Sequence, residues 1–291
     1  MPGHEPFAID TAAPPFDRYT GLHRLAASRS GHRSPEHVRH QLYAGIGRDN
    51  PVRVLFKLTS RPGLVYERDL ANEIASLETI NGKLPDSRYF PFVHEHGRLR
   101  DGRLYLVMSL FEEFPLATIV GEERMPGRLP AHLMAIVETT RAVRELHAID
   151  VFHVDLNPMN ILYRTEGGRP VIRIVDFESS YERARHAGGA FYNPPTTPGY
   201  SAPEISKRPP DARSDVFSLG AVLHTLVASD LWVPQQELVG RIETDHEIDD
   251  ELRKVLLKAV ATDPAQRYAS AADLERELTE YLERIWPGRA W

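Results

Sequence analysis

The sequence predicts an α+β fold whose front part is mainly strand and whose rear part is mainly helix. Three patterns carry that prediction. Before residue 60 the apolar residues alternate, as in Val52-Arg53-Val54-Leu55-Phe56-Lys57-Leu58, and a strand points successive side chains to opposite faces. After residue 130 they recur at three and four, the spacing of one helix face. Between those stretches the two periods are mixed, which fits neither an all-strand nor an all-helix fold. With 291 residues, 42% of them hydrophobic and 26% charged, the chain has material for one large domain or two lobes.

Residues 1–16 hold four prolines and little periodicity, and read as a loose tail. Tyr19 to Leu58 reads as strands broken by turns. In its last run Val52, Val54, Phe56 and Leu58 share one face and Lys57 takes the other. After Arg61-Pro62-Gly63, the stripe Leu70, Ile74, Leu77 and Ile80 marks a helix expected to stop at Asn81-Gly82. Asp101-Gly102 is a hairpin signal leading into the buried-type strand Leu104 to Leu110. Pro130 opens a helix carrying Leu133, Ile136, Val137, Val143 and Leu146. Val171 to Val175 reads as a strand that ends at Asp176. Asp215 opens an apolar helix, Leu252, Val255, Leu256, Ala259 and Val260 mark another, and Ser270 caps a last one bearing Leu274, Leu278, Tyr281 and Ile285.

Composition removes several kinds of chemistry. The chain has no cysteine, so disulfides, thiolate metal sites and cysteine nucleophiles are excluded. A formal net charge of −6 argues against general nucleic-acid binding. No apolar run of about 18 residues and no signal-peptide pattern occurs, so a soluble cytoplasmic protein without a membrane role is expected.

The chemistry concentrates in His153-Val154-Asp155-Leu156-Asn157-Pro158-Met159-Asn160-Ile161-Leu162, followed by Asp176-Phe177-Glu178. One carboxylate placed to accept a proton, with an amide and a second carboxylate placed to hold Mg²⁺, is the minimum equipment for moving a phosphoryl group. These stretches resemble the catalytic loop and metal-binding motif of the protein kinase family. Thr196 to Glu204 resembles the end of that family's activation segment, and Asp215-Val216-Phe217-Ser218-Leu219-Gly220 its Asp-x-Trp/Tyr-Ser-Leu-Gly signature. The resemblance runs from about Tyr19 to Ile285 and is most specific in the rear half.

It implies a bilobal protein-kinase-like fold. Residues 17–111 would form a small, mainly β lobe with the hinge, and 112–286 a larger, mainly α lobe, between short tails at 1–16 and 287–291. It implies ATP and Mg²⁺ as cofactors. Asp155 would take the substrate hydroxyl's proton, Asn160 and Asp176 would hold the metal, and Lys57 would anchor phosphates. Lys57 would be held by Glu73, with Glu67 and Glu78 as rivals. Met108 would be the gatekeeper, and the backbone of Ser109, Leu110 and Phe111 would meet the adenine edge. Asp215 would hold the catalytic loop from beneath, His153 would pack below it, and Glu204 would pair with Arg267. The partner implied is a protein, as substrate or as ligand; the sequence sets no oligomeric state.

The chain also departs from the family. Of the glycine-rich loop only Gly31 remains, in Ala26 to Ser34, where Arg29, His32 and Arg33 offer side-chain contacts to phosphate instead. Val154 replaces the arginine that receives an activation-loop phosphate, so phosphate-switched activation is not expected. Asn157 occupies the place of a lysine and brings no charge, while Thr197 is positioned to contact Asp155 or Asn157. Glu178 replaces a glycine, adding a Cβ and a third carboxylate. Three readings follow: a divergent Ser/Thr protein kinase, a pseudokinase acting as a nucleotide-binding or scaffolding module, and a small-molecule kinase of the aminoglycoside or choline type. The Ala202-Pro203-Glu204 segment and the Asp215 helix point away from the third.

Overall fold

The computed structural model describes residues 9–25, 39–121, 128–189, 192–195 and 197–288. It divides into two compact units, Met1–Asn81 with Pro91–Glu112, and Gly82–Phe90 with Glu113–Trp291. The short stretch 82–90 thus belongs to the second unit, although the linear division expected at 111/112 assigns it to the first. The reason is local bonding: Tyr89 donates its hydroxyl to Glu138 at 2.7 Å, and its carbonyl accepts from the Ile174 amide at 2.8 Å.

The first unit is an antiparallel five-stranded sheet: β1 (Tyr19–Arg24), β2 (His40–Gly47), β3 (Arg53–Thr59), β4 (Val93–Arg98) and β5 (Leu104–Ser109), in the order β1-β2-β3-β5-β4. Helix α1 (Leu64–Lys83) follows β3. The alternation read from the sequence places Val54, Phe56 and Leu58 of β3 on one buried face, where they pack with Tyr43, Tyr105 and Val107. Lys57 points to the other face and meets α1. Residues 9–16, expected as part of a loose tail, instead cover the aromatic face. Phe16 is 3% exposed, sits 5.3 Å from the Phe56 ring and is joined there by Ile9 and Tyr19. Burial of an aromatic ring outweighs the weak local preferences of a proline-rich stretch.

Helix α1 runs past the expected stop at Asn81-Gly82. The Asn81 side chain is engaged at both ends, donating to Pro91 O at 3.0 Å and accepting from Val93 N at 2.8 Å. It ties the helix end to the start of β4 instead of ending the helix.

The second unit is mainly helical. Its strands are short: β6 (Phe114–Pro115), β7 (Val151–Phe152), β8 (Ile161–Glu166), β9 (Arg169–Ile174) and β10 (Tyr181–Glu182), with β6-β8-β9 forming one sheet and β10-β7 a second. The helices are α2 (Leu129–Ala148), α3 (Arg183–Ala187), α4 (Ala212–Ala228), α5 (Gln235–Thr244), α6 (Asp250–Ala259) and α7 (Ala271–Ile285). Every residue of α4 from Ser214 to Val227 is buried, so this is the central helix of the unit. Gly220 lets it approach α6 closely: a Cβ there would lie 2.7 Å from the Ala259 methyl and 2.8 Å from Val260. Ser270 caps α7 as expected, accepting from the Asp273 amide. Among the described residues no helix is long and apolar enough to cross a membrane.

Strands β8 and β9 are joined through Gly167-Gly168, a two-residue turn with Glu166 opposite Arg169. Both glycines are left-handed, φ +57° and +77°, as a tight hairpin of this kind requires. Gly168→Ala is therefore expected to lower stability by about 1 kcal/mol through backbone strain alone, because nothing lies within 4 Å of the added methyl. Urea denaturation measures it; an unchanged midpoint would contradict the turn assignment.

Candidate active site

The site residues of the first unit lie on β3, α1 and the end of β5. Lys57 Nζ is 2.7 Å from Glu73 Oε2, and both are buried, the glutamate fully. The rival glutamates are engaged elsewhere. Glu67 accepts from Arg98 at 2.7 and 2.9 Å and from the Gly63 amide, and these bonds draw its carboxyl down to about 2. Glu78 bonds His96 at 2.9 Å. Met108 is 4% exposed on β5. The amides of Ser109 and Leu110 are already spent, donating to Phe92 O at 2.9 Å and Arg53 O at 3.1 Å. Neither is therefore a ready donor for an adenine edge, since backbone donors at the end of a sheet pair with the nearest backbone acceptor. Gly31, with Arg29, His32 and Arg33, lies outside the described residues.

In the second unit the loop from His153 to Asn160 hangs from one buried carboxylate. Asp215, in the first turn of α4, accepts from His153 N at 2.9 Å, from Val154 N at 2.7 Å and from His147 Nε2 at 2.9 Å. It is fully buried. Between these bonds Val154 adopts φ +69°, a left-handed conformation that is a genuine outlier for a β-branched residue. Its side chain is buried, so the position of the family's phosphate-receiving arginine is here a core position.

Asp155 follows directly. Thr197 Oγ1 donates to its Oδ1 at 2.5 Å, and Asn160 Nδ2 to its backbone oxygen at 3.0 Å. Burial pushes the Asp155 carboxyl up, the Thr197 bond opposes, and nearby Asp176 adds to the rise, leaving it at about 7. A group balanced there suits proton transfer at neutral pH. Asn157 turns inward: Nδ2 donates to Asp155 O at 3.0 Å and Oδ1 accepts from Met159 N at 2.9 Å. Its amide braces the loop's own backbone, unlike a side chain extended towards a phosphate.

Val175 links the two metal-ligand candidates through its backbone. Val175 N donates to Asn160 O at 3.0 Å, and Val175 O accepts from His153 Nε2 at 3.1 Å. His153 is fully buried, and burial holds it neutral, with Nε2 carrying the proton that it donates. Asp176 comes next at φ +68°. Phe177 is buried against the His153 ring at 4.8 Å, and Ser180 closes the turn by donating to Phe177 O. Glu178 has no left-handed backbone, so its Cβ meets no glycine requirement.

The segment from 197 to 204 is fixed to α4. Ser218 Oγ donates to Tyr200 O at 2.8 Å, and a Cβ on Gly199 would fall 2.3 Å from Val233 O. Glu204 and Arg267 form a two-pronged pair at 2.8 and 2.9 Å, with Ser214 as a third partner. Two features escape sequence reasoning. His147 reaches Asp215 from the last turn of α2, with no motif to mark it. Tyr181, His186 and Tyr192 form a ring cluster, stacked at 4.7 Å and edge-on at 5.2 and 5.7 Å; scattered aromatics have no spacing by which to find them.

Comparison with known proteins matches residues 62–286 to the family model of the protein kinase domain. Human ribosomal protein S6 kinase alpha-2 is 29% identical over 242 residues, covering 77% of this chain and 32% of that protein. Serine/threonine-protein kinase Pkn1 of Myxococcus xanthus is 29% identical over 195 residues, covering 60% and 27%. The chain thus spans about a third or less of the length of these relatives. Among solved structures, the PknI kinase domain of Mycobacterium tuberculosis superposes with a TM-score of 0.61 at 18% identity, covering 94% of this chain and 99% of that one. At that identity the likeness speaks for the fold.

Two variants test how the second unit is held. Arg267→Ala leaves Glu204 buried and unpaired, and is expected to cost about 3–5 kcal/mol. Asp215→Asn sets an amide donor against one of two backbone donors, and is expected to cost about 3 kcal/mol. Denaturant titration measures both; a loss below about 1 kcal/mol in either would remove its structural role.

Proposed function

We propose, for a chain that belongs to the protein kinase domain family, that it transfers the γ-phosphoryl group of ATP to a serine or threonine hydroxyl of a protein substrate. The observation that carries this reading is the Asp155 carboxylate, half-buried, balanced near neutrality and oriented by Thr197 and Asn160. Such a group accepts the hydroxyl's proton as the oxygen attacks phosphorus. Thr197 fixes one carboxylate oxygen at 2.5 Å, and the other, held by a long 3.4 Å bond from Asn160, is the one that would meet the substrate hydroxyl. Lys57, aligned by Glu73, supplies a localised positive charge for phosphate oxygens.

The donor set fits Mg²⁺. Asn160 turns its nitrogen into the loop, which leaves Oδ1 as the end facing a cation, and with the Asp176 carboxylate the ligands are all oxygen. Bound there, the ion neutralises charge on the phosphate oxygens. What the chain itself contributes is the fixed placement of these two side chains, joined through Val175.

One observation favours a second reading, a nucleotide-binding module without transfer. Asn157 has both ends of its amide bonded within the loop and offers the γ-phosphate no charge. Transfer without a cation at that position is expected to be slow.

Asp155→Asn is expected to lower phosphorylation of a generic Ser/Thr protein substrate by about 10²–10⁴-fold while keeping the thermal shift caused by MgATP. Unchanged phosphorylation would sink the assigned role. At about a hundred times its dissociation constant, nucleotide adds roughly 2.7 kcal/mol, a rise of several degrees for a chain of this size. That rise should depend on Mg²⁺ and vanish in Asp176→Asn. A metal-dependent rise with no phosphorylation by the parent chain would favour the second reading.

A further inference from the structure

A cavity of about 510 Å³ opens in the second unit, between α2, the β8–β9 hairpin tip and the end of α7. None of the residues assigned above to phosphoryl transfer lines it. Its apolar wall comes from Val137, Val171, Leu282 and Trp286. Its polar rim carries three guanidinium groups, Arg88, Arg141 and Arg169, against two carboxylates, Glu138 and Glu166.

The carboxylates are already engaged. Glu138 accepts from Tyr89 OH at 2.7 Å, from Arg88 at 2.9 Å and from Arg141 at 3.0 Å, and Glu166 pairs with Arg164 at 2.9 Å. Arg141 is held between Glu138 and Glu275. Arg88 bonds Glu138 through one nitrogen while its side chain stays 70% exposed. Arg169 stands exposed at the hairpin tip, placed by the left-handed Gly167-Gly168 turn, and has no ion pair among the described residues. The rim therefore has positive charge and hydrogen-bond donors in excess of what the protein uses, above an apolar wall.

We propose that this cavity is a binding site for a small amphipathic carboxylate, its hydrocarbon against Trp286, Leu282, Val137 and Val171, and its head group on Arg88 and Arg169. A guanidinium matches a carboxylate in geometry as well as charge. The volume lies in the range of small-molecule sites, which pair apolar walls with a few orienting polar groups. Both walls lead to the catalytic loop by chain connection: α2 ends just before β7, and β9, which begins at the cavity, ends two residues before Asp176.

Decanoate is the probe. Isothermal titration is expected to show one saturable site, and Trp286 fluorescence should change with the same midpoint. In Trp286→Phe the fluorescence change is lost while the heat of binding remains. The double variant Arg88→Ala with Arg169→Ala, at two exposed side chains, should weaken decanoate more than tenfold and leave the circular dichroism spectrum unchanged. Decanol, with the same chain and no charge, should bind at least tenfold more weakly than decanoate. Absence of saturable binding at millimolar decanoate, equal binding by the double variant, or equal binding of decanol would each overturn the proposal.

Discussion

The loop from His153 to Asn160 depends on the Asp215 carboxylate. It sits at the start of α4, where the helix's unpaired amides favour negative charge, and it collects three donors from two separate elements. Two of them are consecutive backbone amides, and satisfying both bends the chain into the left-handed region at Val154. That conformation costs on the order of 1–2 kcal/mol, and it is maintained because releasing it would strand buried donors, which costs more. Asp155 is the next residue, so its direction is inherited from this strained turn. The rigidity of α4 comes in turn from burial on all sides and from the close approach at Gly220.

The same economy appears one strand later. The backbone of Val175 is held at its nitrogen by Asn160 and at its oxygen by His153. Asn160 and Asp176 are sixteen residues apart in sequence, yet the single residue Val175 joins their positions. His153 serves this link from a fully buried site, where burial holds its imidazole neutral beside two carboxylates.

Much of this was legible in the sequence because it rests on side-chain type and spacing. The Asp155, Asn160 and Asp176 set, the Asp215 helix and the Glu204 and Arg267 partners are motif residues, and their contacts require those chemical groups. The strand alternation around Lys57 and the Ser270 cap are equally local signals. What was not legible depends on contacts distant in sequence. Asn81 breaks many helices but here has two backbone partners across a turn. Residues 82–90 belong with the helical unit because of Tyr89 and Glu138, a pair that no local pattern reveals. The inward turn of Asn157 and the spent amides of Ser109 and Leu110 are hydrogen-bond choices made by the folded chain.

The packing of Phe16 has a practical side. Strand boundaries alone would suggest trimming the protein back to Tyr19, where the sheet begins. Such a cut would remove Ile9 and Phe16 from the aromatic face of β3 and uncover Phe56, Val54 and Tyr43 together. A contiguous apolar patch of that kind invites self-association. A shortened chain would then precipitate for reasons unconnected with its chemistry, and its silence in an activity assay would be misread as the behaviour of a dead enzyme.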